Sequence, residues 1–118
     1  LTLPLTPESA NIINAERIQL MKNTSYLINV SRGKLVDEIA LTQALKEKQI
    51  AGAALDVFAE EPLSKDSDLW GLPNALISSH LTGNVDTWVE GTIEIFARNL
   101  QRYLSNEPLE NIVDTKST

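Results

Sequence analysis

Short, almost continuous apolar runs, separated by segments of helical character, constrain the fold of this chain most. Three such runs lie at Ser25–Val30, Ala51–Phe58 and Ala75–Ser79. Apolar runs of this length, closed by polar turn residues, are typical of strands in a parallel sheet whose two faces are both covered. A shorter apolar segment, Leu1–Leu5, is predicted to be a further strand.

Two helix starts are predicted between these runs. Asn14 and Asp37 are each preceded by an apolar residue and followed by another four positions later, the spacing of a hydrophobic staple. The first helix is predicted to end near Met21 and Lys22. The second presents one apolar face, made of Leu41, Ala44 and Leu45.

A longer helix is predicted towards the end of the chain. Thr87 and Glu90 have the spacing of a capping box, and Asn106–Pro108 is predicted to stop the helix. Apolar residues recur along it at helical spacing, namely Val89, Ile93, Phe96, Leu100 and Leu104. This face packs on the chain itself, on a partner or on a further domain, and the sequence does not separate these uses.

The order strand, helix, strand, helix, strand, strand, helix predicts an α/β fold that is part of a doubly wound parallel sheet. In such sheets, ligands bind beyond the carboxyl ends of the strands. Polar clusters follow three predicted strands, at Arg32, at Asp56–Glu61 and at His80. We therefore expect these side chains to share one edge of the sheet.

Composition narrows the class of protein. The chain has 118 residues, a net charge of −6, no cysteine and one histidine. The acidic balance argues against nucleic-acid binding, and the lack of cysteine excludes disulfides and thiol chemistry. No apolar run approaches the roughly 20 residues that span a bilayer. Since the sequence has no initiator Met and no signal peptide, we expect a piece of a longer cytoplasmic protein.

Each polar candidate also has an ordinary structural reading. Arg32 could be a solvated turn residue, Glu61 a loop charge beside Glu60, and His80 a residue at a helix entry. Asp56 is harder to dismiss, because an unpaired carboxylate among apolar residues would cost several kcal/mol to bury. It therefore needs a hydrogen-bond donor from the protein or from a ligand.

Together the candidates indicate a specific chemistry. Histidine is readily poised for proton transfer near neutral pH, and a nearby carboxylate would orient its ring. Arginine holds a carboxylate through a two-pronged contact. Interconversion of a 2-oxo acid and a 2-hydroxy acid needs these groups and a cofactor that carries hydride.

The chain resembles the C-terminal half of the coenzyme-binding domain of D-isomer-specific 2-hydroxyacid dehydrogenases. The resemblance covers nearly the whole chain, and its segments occur in the family's order. They begin with Leu3–Glu8 and continue with Leu27–Gly33, Leu35–Glu38, Gly52–Phe58, Glu61–Leu63, Leu72–Asn74 and His80–Asn84. The resemblance implies a partial Rossmann-like sheet with a long C-terminal helix, residues 1–105 belonging to the dinucleotide-binding domain and residues 106–118 leading towards a substrate domain.

The resemblance also implies roles for individual residues. Arg32 would bind the substrate carboxylate and carbonyl, His80 would be the acid and base, and Glu61 would pair with His80. Asp56 would bond the carboxamide of the nicotinamide. The cofactor would further contact Leu3, Pro4 and Thr6 on its adenosine side, and His80 and the backbone of Val30, Ser31 and Gly83 on its nicotinamide side.

The implied protein is a dehydrogenase that uses NAD, with NADP not excluded, acts on a small 2-hydroxy or 2-oxo acid, and forms a homodimer at full length. Ser31, Lys34 and Ser79 depart from the family's usual Ala, Gly and Pro, and no Gly-rich phosphate loop is present. We therefore expect the isolated chain to bind cofactor poorly and to be inactive. The alternative function is a dinucleotide-sensing, corepressor-like module without turnover.

Overall fold

Three parallel strands form the sheet of this protein in the computed structural model, which describes residues 1–83 and 86–113. The strands are β1 (Tyr26–Asn29), β2 (Gly52–Leu55) and β3 (Ala75–Ile77), in the order β1-β2-β3. Ile28 pairs with Ala54 in the register of β1 and β2, and Ala54 pairs with Leu76 of β3. The predicted α/β class and parallel sheet are confirmed.

The predicted first strand, Leu1–Leu5, is wrong, since this segment has no strand geometry. It is nevertheless extended along the outer edge of β1. The backbone N–H of Val30 donates to the Leu1 carbonyl at 3.4 Å, and the Leu1 amino group donates to the Ile28 carbonyl. These two bonds are too few to form a ladder.

One face of the sheet carries the core. Helices α1 (Ala15–Gln19) and α2 (Glu38–Lys46) pack against the strands there, and the buried side chains are largely aliphatic. On the opposite face, Tyr26, Ile28 and Leu76 are 70%, 54% and 71% exposed. Helices α1 and α2 therefore cover one face only, and cover of the other face stays a prediction.

Both predicted caps of the first two helices are confirmed. The backbone N–H of Arg17 donates to Asn14 Oδ1, and that of Ala40 donates to Asp37 Oδ1, each at 3.0 Å. The apolar face predicted for α2 is buried. Helix α1 ends at Gln19, earlier than predicted, because its last turn tightens into bonds that span three residues.

The chain divides into two compact units, Leu1–Thr82 and Gly83–Thr118. In the second unit, helix α3 spans Trp88–Leu104. The predicted capping box is wrong, because the Thr87 side chain makes no cap hydrogen bond. The segment after α3 folds back on it, where Asn99 and Glu110 exchange hydrogen bonds of 2.8 and 3.1 Å. The predicted domain boundary at residue 105 stays a prediction.

The apolar residues predicted to share one face of α3 are all at least 44% exposed. Among the described residues, no helix is long and apolar enough to cross a membrane. Asn84, the last residue of the His80 motif, and residues 114–118 of the predicted tail lie outside the described residues.

Candidate active site

The three polar clusters meet at the carboxyl edge of the sheet, as the strand order predicts. The backbone N–H of Asp56, directly after β2, donates to the Asn29 carbonyl at the end of β1, at 3.0 Å. The backbone N–H of His80, three residues after β3, donates to the Asp56 carbonyl at 2.8 Å. These two bonds join the ends of all three strands.

Glu61 and His80 form an ion pair at this edge. His80 Nδ1 lies 2.8 Å from Glu61 Oε2, and Glu61 Oε1 accepts a 3.0 Å hydrogen bond from the Phe58 backbone N–H. The bond to His80, followed by the bond to Phe58, lowers the pKa of Glu61 below its ordinary value against the opposing effect of burial. An ionised Glu61 selects the form of His80 with a hydrogen on Nδ1, which leaves Nε2 as the ring nitrogen for a substrate.

Asp56 is 2% exposed, and the loop that carries His80 supplies its donors. Oδ1 accepts from the Ser78 hydroxyl and, at 2.9 Å, from the Leu81 backbone N–H. Oδ2 accepts from the backbone N–H and the hydroxyl of Thr82 at 2.9 and 2.7 Å. Burial alone would raise the pKa of Asp56, but these bonds hold it well below its usual range.

Arg32 lies exposed in the turn after β1. Its Nη1 donates to the Ser31 carbonyl at 2.8 Å, while the buried Asn29 side chain bonds the Arg32 carbonyl and the Ser31 N–H at 2.9 and 3.2 Å. A Cβ added at Gly33 would lie 1.9 Å from the Phe58 backbone. This close approach seats the Arg32 turn against the segment that holds Glu61.

Three further polar residues shape the site and were not predicted as site residues from the sequence. Asn29, Ser78 and Thr82 form the turn after β1 and the hydrogen bonds to Asp56. A signal for Asn29 was present, because it is a polar residue inside an apolar run, as Asp56 is. The hydroxyls of Ser78 and Thr82 carry no comparable signal, since such residues are common in solvated loops.

The residues predicted to contact the cofactor near the Arg32 turn are largely exposed. The Ser31 hydroxyl donates to the Leu3 carbonyl, and Leu3 and Val30 are 43% and 37% exposed. Pro4 is also exposed, and Thr6 is half-buried in the adjoining turn. Gly83 begins the second unit. The cofactor contacts assigned to these residues stay predictions.

A cavity of about 670 Å³ adjoins the ion pair. His80 and Glu61 contribute to its wall, and the remainder is largely apolar, including Phe58, Pro62, Trp70 and Ile77. A cavity with apolar walls and a few polar groups is typical of a small-molecule site.

Comparisons with known proteins agree on one family. Residues 1–82 match the family model described as D-isomer specific 2-hydroxyacid dehydrogenase, NAD binding domain. The chain is 43% identical over 114 residues to a glyoxylate reductase of Thermococcus kodakarensis, covering 97% of this chain and 34% of that protein. The chain thus spans about a third of the length of this curated relative.

Solved structures give the same result. A D-isomer specific 2-hydroxyacid dehydrogenase from Xanthobacter autotrophicus Py2, in complex with NADPH and MES, matches with a TM-score of 0.87 and 40% identity, over 98% of this chain and 47% of that one. D-lactate dehydrogenase with NAD+ from Lactobacillus jensenii matches with a TM-score of 0.85 and 32% identity, over 97% of this chain and 38% of that one.

Proposed function

This chain belongs to the D-isomer specific 2-hydroxyacid dehydrogenase family, and we propose that the full-length protein transfers hydride between NAD(P)H and a small 2-oxo or 2-hydroxy acid of the D series. The observation that carries the proposal is the 2.8 Å contact between His80 and Glu61 at the sheet edge that also bears Arg32. The nicotinamide, when bound, supplies the hydride that no side chain can provide.

Side chains of this chain bind the substrate, transfer the proton and contact the cofactor. The Arg32 guanidinium holds the substrate carboxylate and directs its carbonyl towards His80. His80 gives a proton to the carbonyl oxygen as the carbonyl carbon is reduced, and takes that proton back in the oxidation direction. Glu61 keeps the His80 ring oriented. Leu3, Pro4, Thr6, Val30, Ser31 and Gly83 contact the cofactor, with His80 beside its nicotinamide end.

The proposal extends to the location, oligomeric state, partners and cofactor of the full-length protein. We expect a cytoplasmic homodimer whose partners are small acids and not nucleic acids. Both NAD and NADP are compatible with the family, since one solved relative holds NADPH and another holds NAD+. These relatives are named as reductases and dehydrogenases, so they support turnover and not the corepressor-like alternative.

The test is reduction of glyoxylate, hydroxypyruvate, pyruvate and branched 2-oxo acids by NADH and NADPH, followed at 340 nm with the full-length protein. His80→Gln should lower kcat by about 100-fold to 10,000-fold, the usual contribution of a positioned acid. Undiminished reduction by this variant would exclude His80 as the acid.

The role of Glu61 can be tested against a matched control, Glu60. Glu60 is an adjacent, exposed carboxylate outside the ion pair. Glu61→Gln should lower kcat by about tenfold or more, whereas Glu60→Gln should leave it within about twofold. Equal losses in the two variants would show that general loop charge matters and that the His80 contact does not.

A further inference from the structure

The loop that carries His80 has an unusual backbone. His80 has a φ of 56°, in the left-handed region that side chains other than glycine adopt uncommonly. Such a conformation persists only where the surrounding structure holds it. Besides the His80–Glu61 contact and a bond from the Ser78 N–H to the Leu55 carbonyl, the contacts that hold this loop lead to Asp56. Its carbonyl bonds the His80 N–H, and its carboxylate bonds the residues on both sides of His80.

The Asp56 carboxylate is fully occupied by this loop. A carboxylate has about four acceptor positions, and donors from Ser78, Leu81 and Thr82 account for four contacts. Asp56 therefore anchors the loop that carries His80, and its contact with the nicotinamide carboxamide stays a prediction.

Two of the four donors are side-chain hydroxyls, and they lie on opposite sides of His80. The Ser78 hydroxyl bonds Oδ1, and the Thr82 hydroxyl bonds Oδ2 at 2.7 Å. Ser79 stands directly before His80, where the resemblance leads us to expect proline. Without the fixed φ of proline, the loop depends more on hydrogen bonds for its shape.

We propose that the Thr82 and Ser78 hydroxyls, acting through Asp56, are positioning groups that fix the His80 ring against Glu61 for proton transfer. The inference rests on the proposed dehydrogenase function and adds two residues to it. Neither hydroxyl needs to touch substrate. Their effect is to hold the imidazole in one place, because a displacement of about 1 Å can cost about 100-fold in rate.

The experiment uses the full-length protein and four variants. Thr82→Val removes the hydroxyl but keeps the side-chain volume and the backbone bond to Oδ2, and Thr82→Ser restores the hydroxyl. Ser78→Ala tests the hydroxyl on Oδ1. Thr42→Val is the control, because within the part of the chain that the structure describes the Thr42 hydroxyl bonds only a carbonyl of α2, at 2.7 Å. Measurements are kcat, KM for the 2-oxo acid, the Kd for NAD(P)H, the solvent deuterium isotope effect and the unfolding temperature.

We expect Thr82→Val to lower kcat by about tenfold, with Kd for NAD(P)H within about twofold of wild type and a larger solvent isotope effect, because proton transfer becomes slower. Thr82→Ser and Thr42→Val should stay within about twofold of wild type. If Thr82→Val does not fold, Ser78→Ala decides by the same criteria.

An unchanged kcat and isotope effect in Thr82→Val, or equal losses in Thr82→Val and Thr82→Ser, would overturn the positioning role. A larger Kd for NAD(P)H with unchanged kcat would also overturn it and would return Asp56 to a cofactor contact. A wild-type protein that reduces no 2-oxo acid refutes the proposed function instead, so the two failures are distinguishable.

Discussion

Gly33→Ala is the substitution whose effect the structure defines most directly. The added Cβ would lie 1.9 Å from the carbonyl carbon and oxygen of Phe58 and 2.5 Å from the Ala59 nitrogen. Ordinary contact begins near 3.5 Å, so the two backbones must separate by about 1.5 Å. The Phe58–Ala59 backbone does not move easily, because Glu61 and Glu38 accept its N–H groups at 3.0 and 2.9 Å, and the Gly33 carbonyl is held by the Val36 N–H at 3.0 Å.

The cost should reach the upper end of the range for overpacking, about 3 kcal/mol. For a unit of roughly 150–250 residues this lowers the unfolding temperature by about 6–12 °C. The same displacement pulls the Phe58 N–H from Glu61 and moves the Arg32 turn, so kcat/KM should fall by about 100-fold. Thermal unfolding followed by circular dichroism and steady-state kinetics of the full-length protein measure the two effects.

Gly71→Ala is the matched control. A Cβ at Gly71 meets nothing within 4 Å, so this variant should stay within about 0.5 kcal/mol of wild type. If Gly33→Ala unfolds within about 2 °C of wild type and retains its activity, the close approach of the two turns is refuted.

Two further predictions concern acid stability and cofactor affinity. Because the folded state lowers the pKa of Asp56, its contribution to stability is present above the unfolded pKa near 3.9 and is lost as pH falls towards the folded pKa. The gap in unfolding free energy between wild type and Asp56→Asn should therefore shrink below about pH 4 in urea titrations; a constant gap from pH 7 to pH 3 would contradict this. Titration of NADH into the isolated 118-residue chain should show weak binding, above about 100 μM, because the chain has no Gly-rich phosphate loop; micromolar binding in a fluorescence titration would contradict it.

Local signals predicted most of the first unit. The caps at Asn14 and Asp37 depend on residues within four positions, so the sequence contains the whole interaction. The predicted cap at Thr87 failed although its spacing was correct, because Thr87 has a φ of −110° and a ψ of 11°, unlike the extended backbone of Asn14 and Asp37. A spacing therefore predicts a cap only where the backbone entering the helix is also suitable.

Long-range features were harder to predict. Asp56 has hydrogen-bond donors, as predicted, but their identity was not predictable because they lie 22 to 26 residues further along the chain. The exposure of Tyr26 and Ile28 was also unpredictable from their run, because burial of the second sheet face depends on chain segments far from that run.

The site combines a fixed part with a less constrained one. His80 and Glu61 are held by each other, by the Phe58 backbone and, through the loop, by Asp56. In the described part of the chain, the Arg32 guanidinium donates only to the carbonyl of its neighbour Ser31, and the side chain is exposed. Proton transfer is sensitive to displacements of an ångström, whereas attraction of a carboxylate by a guanidinium falls off slowly with distance. The proposed function therefore requires a rigid His80 loop and a seated Arg32 turn, while the exposed guanidinium keeps the freedom to turn towards a substrate carboxylate.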